Sequence, residues 1–459
     1  MAAADHNHLV TRFPHPAQMF YYIVAKGDSV LKVLVIGGGG REHALCWRLS
    51  RSASVTHVFV TPGNPGCATV ATPTATPDNT PQGYLAAARA AAADLTVVGP
   101  EAPLVDGVVD AFRREGRLIF GPTQAAARLE GSKIFAKNFM DRAGIPTAAY
   151  VAADDPETAI QALPKFQGPL VIKADGLAAG KGVIILEDPN EAEAVIRAMF
   201  AGALVGAAGA RVVLEEFLEG EEISFIGLSD GERVVALEPS QDHKRIADND
   251  EGPNTGGMGA YSDSRLLDGD MRQQVMDTVM QPVIDQFQRE GTPFSGFLYA
   301  GLMMTDAGPK VLEYNVRLGD PETQALLHRI EGDFGALLHT AAAGRIDPAH
   351  LAFRQDPSIC VVLAAAGYPG TVRSGDLING LAEAEQEGAV VFHAGTKATP
   401  EGIVTSGGRV LGVTHSGATL PQAIDNVYRA VKHIHFDGIQ VRHDIGAKGL
   451  KRWPLTAGS

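Results

Sequence analysis

Val311-Leu-Glu-Tyr-Asn-Val-Arg-Leu-Gly-Asp-Pro-Glu322 is the stretch on which the fold class turns. Val311 to Val316 reads as a half-buried strand, with apolar and polar residues alternating from Leu312 onward. Glu313 and Asn315 are two apart, so their side chains leave the same face. A carboxylate beside an amide oxygen is a pair of hard ligands, the kind that holds Mg²⁺ together with substrate phosphates. Arg317 joins that face if the strand runs so far; its guanidinium is always charged and can grip a carboxylate or phosphoryl group through two hydrogen bonds. Taken alone, an exposed strand face with an ion pair is the simpler reading. The rest of the chain shifts that balance.

A length of 459 residues leaves room for about three domains. The 45% hydrophobic and 20% charged content is that of a soluble globular protein. A formal net charge of -14 argues against a general binder of nucleic acid or membrane surfaces. Three cysteines, Cys46, Cys67 and Cys360, have no metal-like spacing and fit a reducing compartment. No apolar run approaches the ~18 residues that span a bilayer. Met1 to Leu31 stands apart, with scattered histidines, two prolines and one short apolar patch. It has neither the basic start nor the cleavage site of a secretory signal, and reads as an added tail.

From Lys32 the pattern becomes that of a small doubly wound α/β domain. Lys32 to Ile36 is an apolar strand, Gly37-Gly-Gly-Gly40 a turn, and Arg41 to Ser50 a helix. Strand, glycine turn and helix together make an anion site at a helix N-terminus. A dinucleotide fingerprint fails here. Counted from Gly37, the third glycine position of G-x-G-x-x-G is Glu42, and no ribose-binding acid follows the next strand, His57 to Val60. A phosphate-accepting loop without dinucleotide specificity is the better reading. Glu101 follows the strand Leu95 to Val98, at the sheet edge where open α/β folds bind ligands. It either meets a substrate amine or hydroxyl or is a solvated turn carboxylate.

Gly131 to Met140 opens a helix with Lys133 and Lys137 four apart, a spacing that usually marks only a wet face. Pro169 to Lys173 and Val183 to Leu186 read as a hairpin whose tip holds Gly176, Gly180 and Gly182. Glycines free backbone N–H groups for phosphate oxygens, and Lys173 and Lys181 add charge beside the tip. Glu215 to Ser224 is either a solvated turn or a segment offering backbone groups to an adenine and a carboxylate to a ribose. Ile246 to Tyr261, preceded by His243, Lys244 and Arg245, reads as a long loop without hydrophobic periodicity, of a length that is usually functional. After about 355 the pattern is a third, mostly β unit with a covering helix near Leu420 to His433. His433 and His435 read there as ordinary strand residues.

Five uncommon stretches occur along the chain: Gly39-Gly-Arg-Glu-His-Ala44, Gly99-Pro-Glu-Ala-Pro-Leu104, Lys173 to Gly182, Gln241 to Tyr261 and Glu313 to Glu322. Together, and in this order, they resemble the glycinamide ribonucleotide synthetase family of purine biosynthesis, within the ATP-grasp superfamily. The resemblance runs from about Lys32 to Gly446. It implies, after a tail at 1–31, an N-terminal doubly wound α/β domain at 32–131 and a central ATP-grasp domain at 132–353, with a mobile lid at about 150–222. A C-terminal β-rich domain follows at 354–459. The implied reaction is ATP-dependent ligation of glycine to 5-phosphoribosylamine through glycyl phosphate, with Mg²⁺ or Mn²⁺. A cytoplasmic monomer acting on small molecules alone is implied too.

By the same resemblance Lys137, Lys173, Gly180 and Lys181 meet the ATP phosphates, and Glu215, Leu218 and Glu222 the adenine and ribose. Glu313 and Asn315 are the metal ligands. Gly39, Gly40, Glu101, His243, Lys244, Arg245 and Asp320 fall at the substrates, with Arg317 and Lys181 as catalytic cations. Another ATP-grasp ligase joining a different carboxylate to a different amine is the alternative. One departure stands out: many members of the superfamily carry an acidic metal ligand on the preceding strand, and Phe297 to Met303 has none.

Overall fold

Five parallel strands open the fold: β1 (Leu31–Gly37), β2 (Val55–Pro62), β3 (Thr72–Pro73), β4 (Leu95–Val98) and β5 (Ile119–Phe120), in the order β3-β2-β1-β4-β5. The computed structural model describes residues 30–176, 182–204 and 209–453. Val33 to Ile36 and Leu95 to Val98 are buried runs, as strands covered on both faces must be. Winding reverses between β1 and β4, so their carboxyl ends, Gly37 and Val98, frame the crevice where such sheets bind ligands. Leu31, assigned to the tail by its pattern, is buried and starts β1.

A second, antiparallel sheet has the order β6-β9-β7-β8, from β6 (Tyr150–Ala153), β7 (Leu170–Ala174), β8 (Val183–Leu186) and β9 (Val212–Glu216). With the helices Pro156–Ala162 and Ala192–Phe200 it closes a core of its own, including Ile172, Ile196, Met199 and Leu214.

The central sheet takes in β10 (Glu221–Asp230), β11 (Val234–Ala236) and β12 (Ser240–Asp242). A hairpin of β13 (Arg245–Ala247) and β14 (Glu251–Asn254) follows, then β15 (Gly259–Ser262), β16 (Ser295–Thr305) and β17 (Gly308–Asn315). The last part adds β18 (Ser358–Ala364), β19 (Val390–His393), a hairpin of β20 (Thr396–Thr399) and β21 (Gly402–Thr405), and β22 (Arg409–Ser416). The main order is β17-β16-β10-β12-β15-β18-β22-β19. Two sequence expectations change here, the long loop at 246–261 and the strand placement of His433. The stretch 246–261 is a hairpin and a strand rather than a structureless loop. Gly-Ala-Tyr-Ser at β15 has too few apolar residues to show a period, and distant partners, β12 and β18, supply its pairing. Through that pairing β18, β22 and β19 of the C-terminal part continue the central sheet, while β20 and β21 pair with each other. His433 follows the helix Leu420–Val431 and is not in a strand; its Nε2 lies 3.4 Å from Glu387.

β17 carries a bulge. Gly301 pairs with Glu313 and Leu302 with Val311, so Leu312 is the extra residue. The bulge resets the alternation: Val311, Tyr314 and Val316 all enter one core, although 311 and 314 differ by an odd number. Glu313 and Asn315 remain on a common face opposite that core. The strand stops at Asn315, short of Arg317.

The helices Gly40–Leu49 and Glu322–Arg329 are buried along their whole length at the junction of the first, central and last parts. Trp47 stacks on His328 at 5.8 Å, and both Trp47 and His43 meet Phe392 edge-on. His328 is buried, with Arg354, His415 and Arg51 nearby, and its pKa falls from 6.5 to about 3. It is therefore neutral in the native state, and the stability this gives is present above pH 6.5 and lost as pH falls toward 3. At pH 5 this one ring should cost about 2 kcal/mol relative to neutral pH. Urea unfolding at pH 7.5 and 5 is expected to show a smaller fall for His328→Gln than for the unaltered chain.

Candidate active site

Where the β6–β9 sheet meets the helix Lys133–Ala143, one carboxylate oxygen serves two lysines. Glu215 Oε2, from β9, lies 2.9 Å from Lys137 Nζ and 3.0 Å from Lys173 Nζ. All three side chains are at most 10% exposed. Lys137 also donates to Thr147 Oγ1 at 2.8 Å, and Lys173 to the Leu312 carbonyl at 3.1 Å, at the bulge of β17. Burial lowers the Lys137 pKa, with Glu215 opposing. Glu215 Oε1 is buried and has no hydrogen-bond partner among the described residues, leaving one open acceptor. The 133/137 spacing thus marks no wet face. Its first member, Lys133, reaches the Gly176 carbonyl at 3.2 Å and faces Glu313. Asp175, at the root of the glycine hairpin, caps the helix Lys133–Ala143 by accepting from the Ile134 N–H at 2.9 Å and Ser132 Oγ at 2.8 Å. Gly180 and Lys181 lie outside the described residues. Leu218 is buried, and Phe217 beside it is exposed.

Glu313 is half-buried. Burial opposes its ionisation, but Lys244, Lys173, Lys133 and Arg317 hold its carboxyl below the usual range. On the same side, Lys244 pairs with Glu222 and faces Asp242. Burial, with Glu322, Glu222 and Glu313 adding and Lys244 opposing, lifts Asp242 to about 8. An excess of carboxylates around one lysine is a place where a hard cation is favoured. No three acidic, His or Cys side chains form a ready metal cage among the described residues. Glu313 and Asn315 therefore fit an ion that takes the rest of its shell from phosphate oxygens and water.

At the carboxyl end of β4, Glu101 opens a short helix and meets Arg317. Arg317 Nε is 3.3 Å from Glu101 Oε2, its Nη2 is 3.2 Å from Asn315 Oδ1 and 2.8 Å from Glu130 Oε1. Arg41 Nη2 is 4.0 Å from Glu101 Oε2, and its Nη1 donates to the Leu318 carbonyl at 2.9 Å. Burial opposes Glu101 ionisation, yet the Arg317 and Arg41 guanidiniums hold it below the usual carboxylate range. The glycine turn lies against the same crevice. At Gly40 an added Cβ would stand 2.6 Å from Gln324 Nε2, so that side chain would have to shift. Two backbone donors of the turn are already taken by the chain's own acids, Gly39 N–H by Glu42 Oε2 at 2.6 Å and Arg41 N–H by Asp320 Oδ2 at 3.3 Å. Glu42, at the position that disqualified a dinucleotide site, fills the space between Gly37 and Gly99. Asp320 Oδ1 also accepts from Gln324 Nε2 at 2.8 Å, and Arg409, from β22, donates to the Gly256 carbonyl at 2.6 Å and to the Asp320 carbonyl.

His243, Lys244 and Arg245 do not act as one cationic cradle. Successive residues along extended chain point to opposite sides. His243 is fully buried, and neither ring nitrogen has a partner among the described residues. Burial, reinforced by Lys448 and Arg442, lowers its pKa to about 3, so it carries no charge. Lys244 turns to the acids near Glu313, and Arg245 to the Gly252 carbonyl across its own hairpin at 2.7 Å. That hairpin is tied down by Arg442 and Lys448, 2.9 and 2.8 Å from Asp250. Sequence reasoning missed Arg41, Glu130, Gln324 and Arg409, which act across long separations. Arg41 alone had a signal, its place directly after the glycine turn.

Three family models match the chain in succession: the phosphoribosylglycinamide synthetase N domain at residues 31–130, its ATP-grasp (A) domain at 131–323 and its C domain at 358–448. The phosphoribosylamine–glycine ligase of Escherichia coli O157:H7 is 50% identical over 430 residues, covering 92% of this chain and 99% of that protein. The ligase of the same name from Vibrio cholerae serotype O1 is 48% identical over 426 residues, with coverage of 92% and 99%. Among solved structures, the phosphoribosylamine–glycine ligase of Thermotoga maritima is similar with a TM-score of 0.79 at 33% identity, covering 90% of this chain and 100% of that one.

Removing the shared carboxylate should leave two buried ammonium groups without their counter-ion. Glu215→Leu is expected to destabilise the chain by about 3–5 kcal/mol in urea unfolding, and Glu215→Leu with Lys137→Met to recover part of that loss.

Proposed function

The chain belongs to the phosphoribosylglycinamide synthetase family, and from that premise we propose that it joins glycine to 5-phosphoribosylamine at the expense of ATP. Glycinamide ribonucleotide, ADP and phosphate are the products. The observation that carries the reading is the convergence, around the end of β17, of three groups. These are the lysines on Glu215, the oxygen pair Glu313 and Asn315, and the crevice of Glu101, Arg317 and Asp320.

A carboxylate resists attack by an amine because its leaving group would be oxide. Transfer of the γ-phosphoryl group to a glycine oxygen breaks the bond to ADP and gives an acyl phosphate; amine attack at that carbonyl then expels phosphate. Both steps need alignment and charge neutralisation more than a covalent nucleophile. In this reading Lys173, Lys137 and Lys133 supply positive charge beside the triphosphate, with Gly180 and Lys181 on the loop above it. The open acceptor Glu215 Oε1 suits the amino group of an adenine. Leu218 lies beside that base and Glu222 beside the ribose. A divalent cation held by Glu313 and Asn315, Mg²⁺ or Mn²⁺, would neutralise charge on the transferring group.

Asp320 is ionised: burial opposes this, but Arg409 and Arg41 favour it, so it can hold the glycine ammonium. Arg317 steadies the carboxylate and the charge developing on the phosphoryl oxygens. Glu101 takes the amine or a ribose hydroxyl, exchanging its contact with Arg317 for the substrate, while Gly39 and Gly40 let substrate approach the backbone. The lid has a separate core, so it can close as a unit over the acyl phosphate and exclude water. No described helix is long and apolar enough to cross a membrane, and the reading is of a cytoplasmic monomer acting on small molecules.

Phosphate release should require ATP, glycine and freshly generated phosphoribosylamine together, with each omitted in turn. Full turnover with a different amine or carboxylate would favour another ligase of the superfamily. Arg317→Ala should lower kcat by about 100-fold or more, because it removes a donor to transition-state charge. Glu101→Gln should raise the KM for phosphoribosylamine about 10-fold and leave that for ATP within about 2-fold. Because Glu101 touches Arg317, some loss of kcat should accompany it.

A further inference from the structure

Arg317 has carboxylates on two flanks, and they differ in kind. Glu101 is 34% exposed and reaches only Nε, at 3.3 Å. Glu130 is 6% exposed and sits in the last turn of the helix Gln124–Gly131. Its Oε1 is 2.8 Å from Arg317 Nη2, and its Oε2 accepts from the Val316 N–H at 2.8 Å. One carboxylate thus fixes both the backbone entering Arg317 and the end of its side chain. Nη2 also reaches Asn315 Oδ1 at 3.2 Å, so the fixed end of the guanidinium is tied to a candidate metal ligand.

We propose that Glu130 is a positioning residue for the ligation: it holds the Arg317 guanidinium in one orientation while Glu101 is drawn away to the amine substrate. The inference rests on the reading of Arg317 given above. A guanidinium flanked by two equally exposed acids would follow whichever acid moved. Here the exposed contact is long and exchangeable, and the buried one is short and doubly anchored. When Glu101 turns to substrate, Nε is released while Nη2 stays where it was. The released N–H faces the crevice at a defined angle, the condition for a donor that acts on developing charge. Glu130 touches no reacting atom in this scheme.

Glu130→Gln keeps the volume and one acceptor but cannot satisfy both Val316 N–H and Arg317 Nη2, since its amide nitrogen is itself a donor. It should lower kcat about 10- to 100-fold, the usual cost of losing a partner that orients a reacting group. The KM for ATP should stay within about 2-fold. The discriminating measurement is the same substitution in an Arg317→Lys background, where the guanidinium fork is gone. There Glu130→Gln should cost less than about 2-fold further, because the group it positions is absent.

A kcat for Glu130→Gln equal to that of the unaltered chain, with Arg317→Lys impaired, overturns the role of Glu130 alone. An equal loss in both backgrounds does the same, by assigning Glu130 a merely structural part. Normal turnover of Arg317→Lys overturns the reading of Arg317 and this inference with it. Should Glu130→Gln fail to fold, Glu130→Asp, which keeps the charge on a shorter arm, goes through the same cycle with the same expected dependence on Arg317.

Discussion

The buried Glu215 carboxylate, shared by Lys137 and Lys173, ties the β6–β9 sheet to the helix Lys133–Ala143, and the charges around it depend on that contact. Glu215 stands on β9 and Lys173 on β7, Lys137 on the helix Lys133–Ala143, and Lys173 reaches the bulge of β17. Two ammonium groups so close would repel strongly in a medium of low polarisability, and the single carboxylate between them offsets that cost. The two lysines concentrate positive charge there, in a chain whose overall charge is strongly negative.

Elsewhere in the crevice the pattern is one of charges already satisfied by the chain. Glu42 and Asp320 accept from the glycine turn, Glu101 from Arg317, and Glu222 pairs with Lys244. A buried charge without a partner is expensive, so these charges are held in internal pairs. The partners differ in how readily they give way. Half-exposed Glu101 is placed to exchange, whereas buried Glu130 and Glu215 are placed to hold.

The body that carries these groups is continuous. The central sheet runs from β17 to β19 without a break, and the helices Gly40–Leu49 and Glu322–Arg329 are buried where its parts meet. Arg409 and Asn64 add polar ties across that junction, Asn64 by donating to the Gly38 and His393 carbonyls at 2.9 and 2.7 Å. The β6–β9 sheet and its two helices close a core of their own beside that body.

The sequence by itself determined what depends on neighbours along the chain. The strand, glycine turn and helix read at 32–50, the hairpin strands read at 169–173 and 183–186 and the common face of Glu313 and Asn315 follow from short-range period and glycine placement. So did the exclusion of a dinucleotide site, through Glu42. Tertiary structure decided what depends on distant partners. β15 is a strand because β12 and β18 lie beside it, not because its own residues alternate. The adjacent apolar residues Val311 and Leu312 break the alternation, but only the pairing with β16 makes that break a bulge. His243 looks cationic beside two basic residues and is neutral because of what buries it. Glu130 and Arg317 are 187 residues apart, so no local pattern links them, and only the packed fold brings their charges within a hydrogen bond.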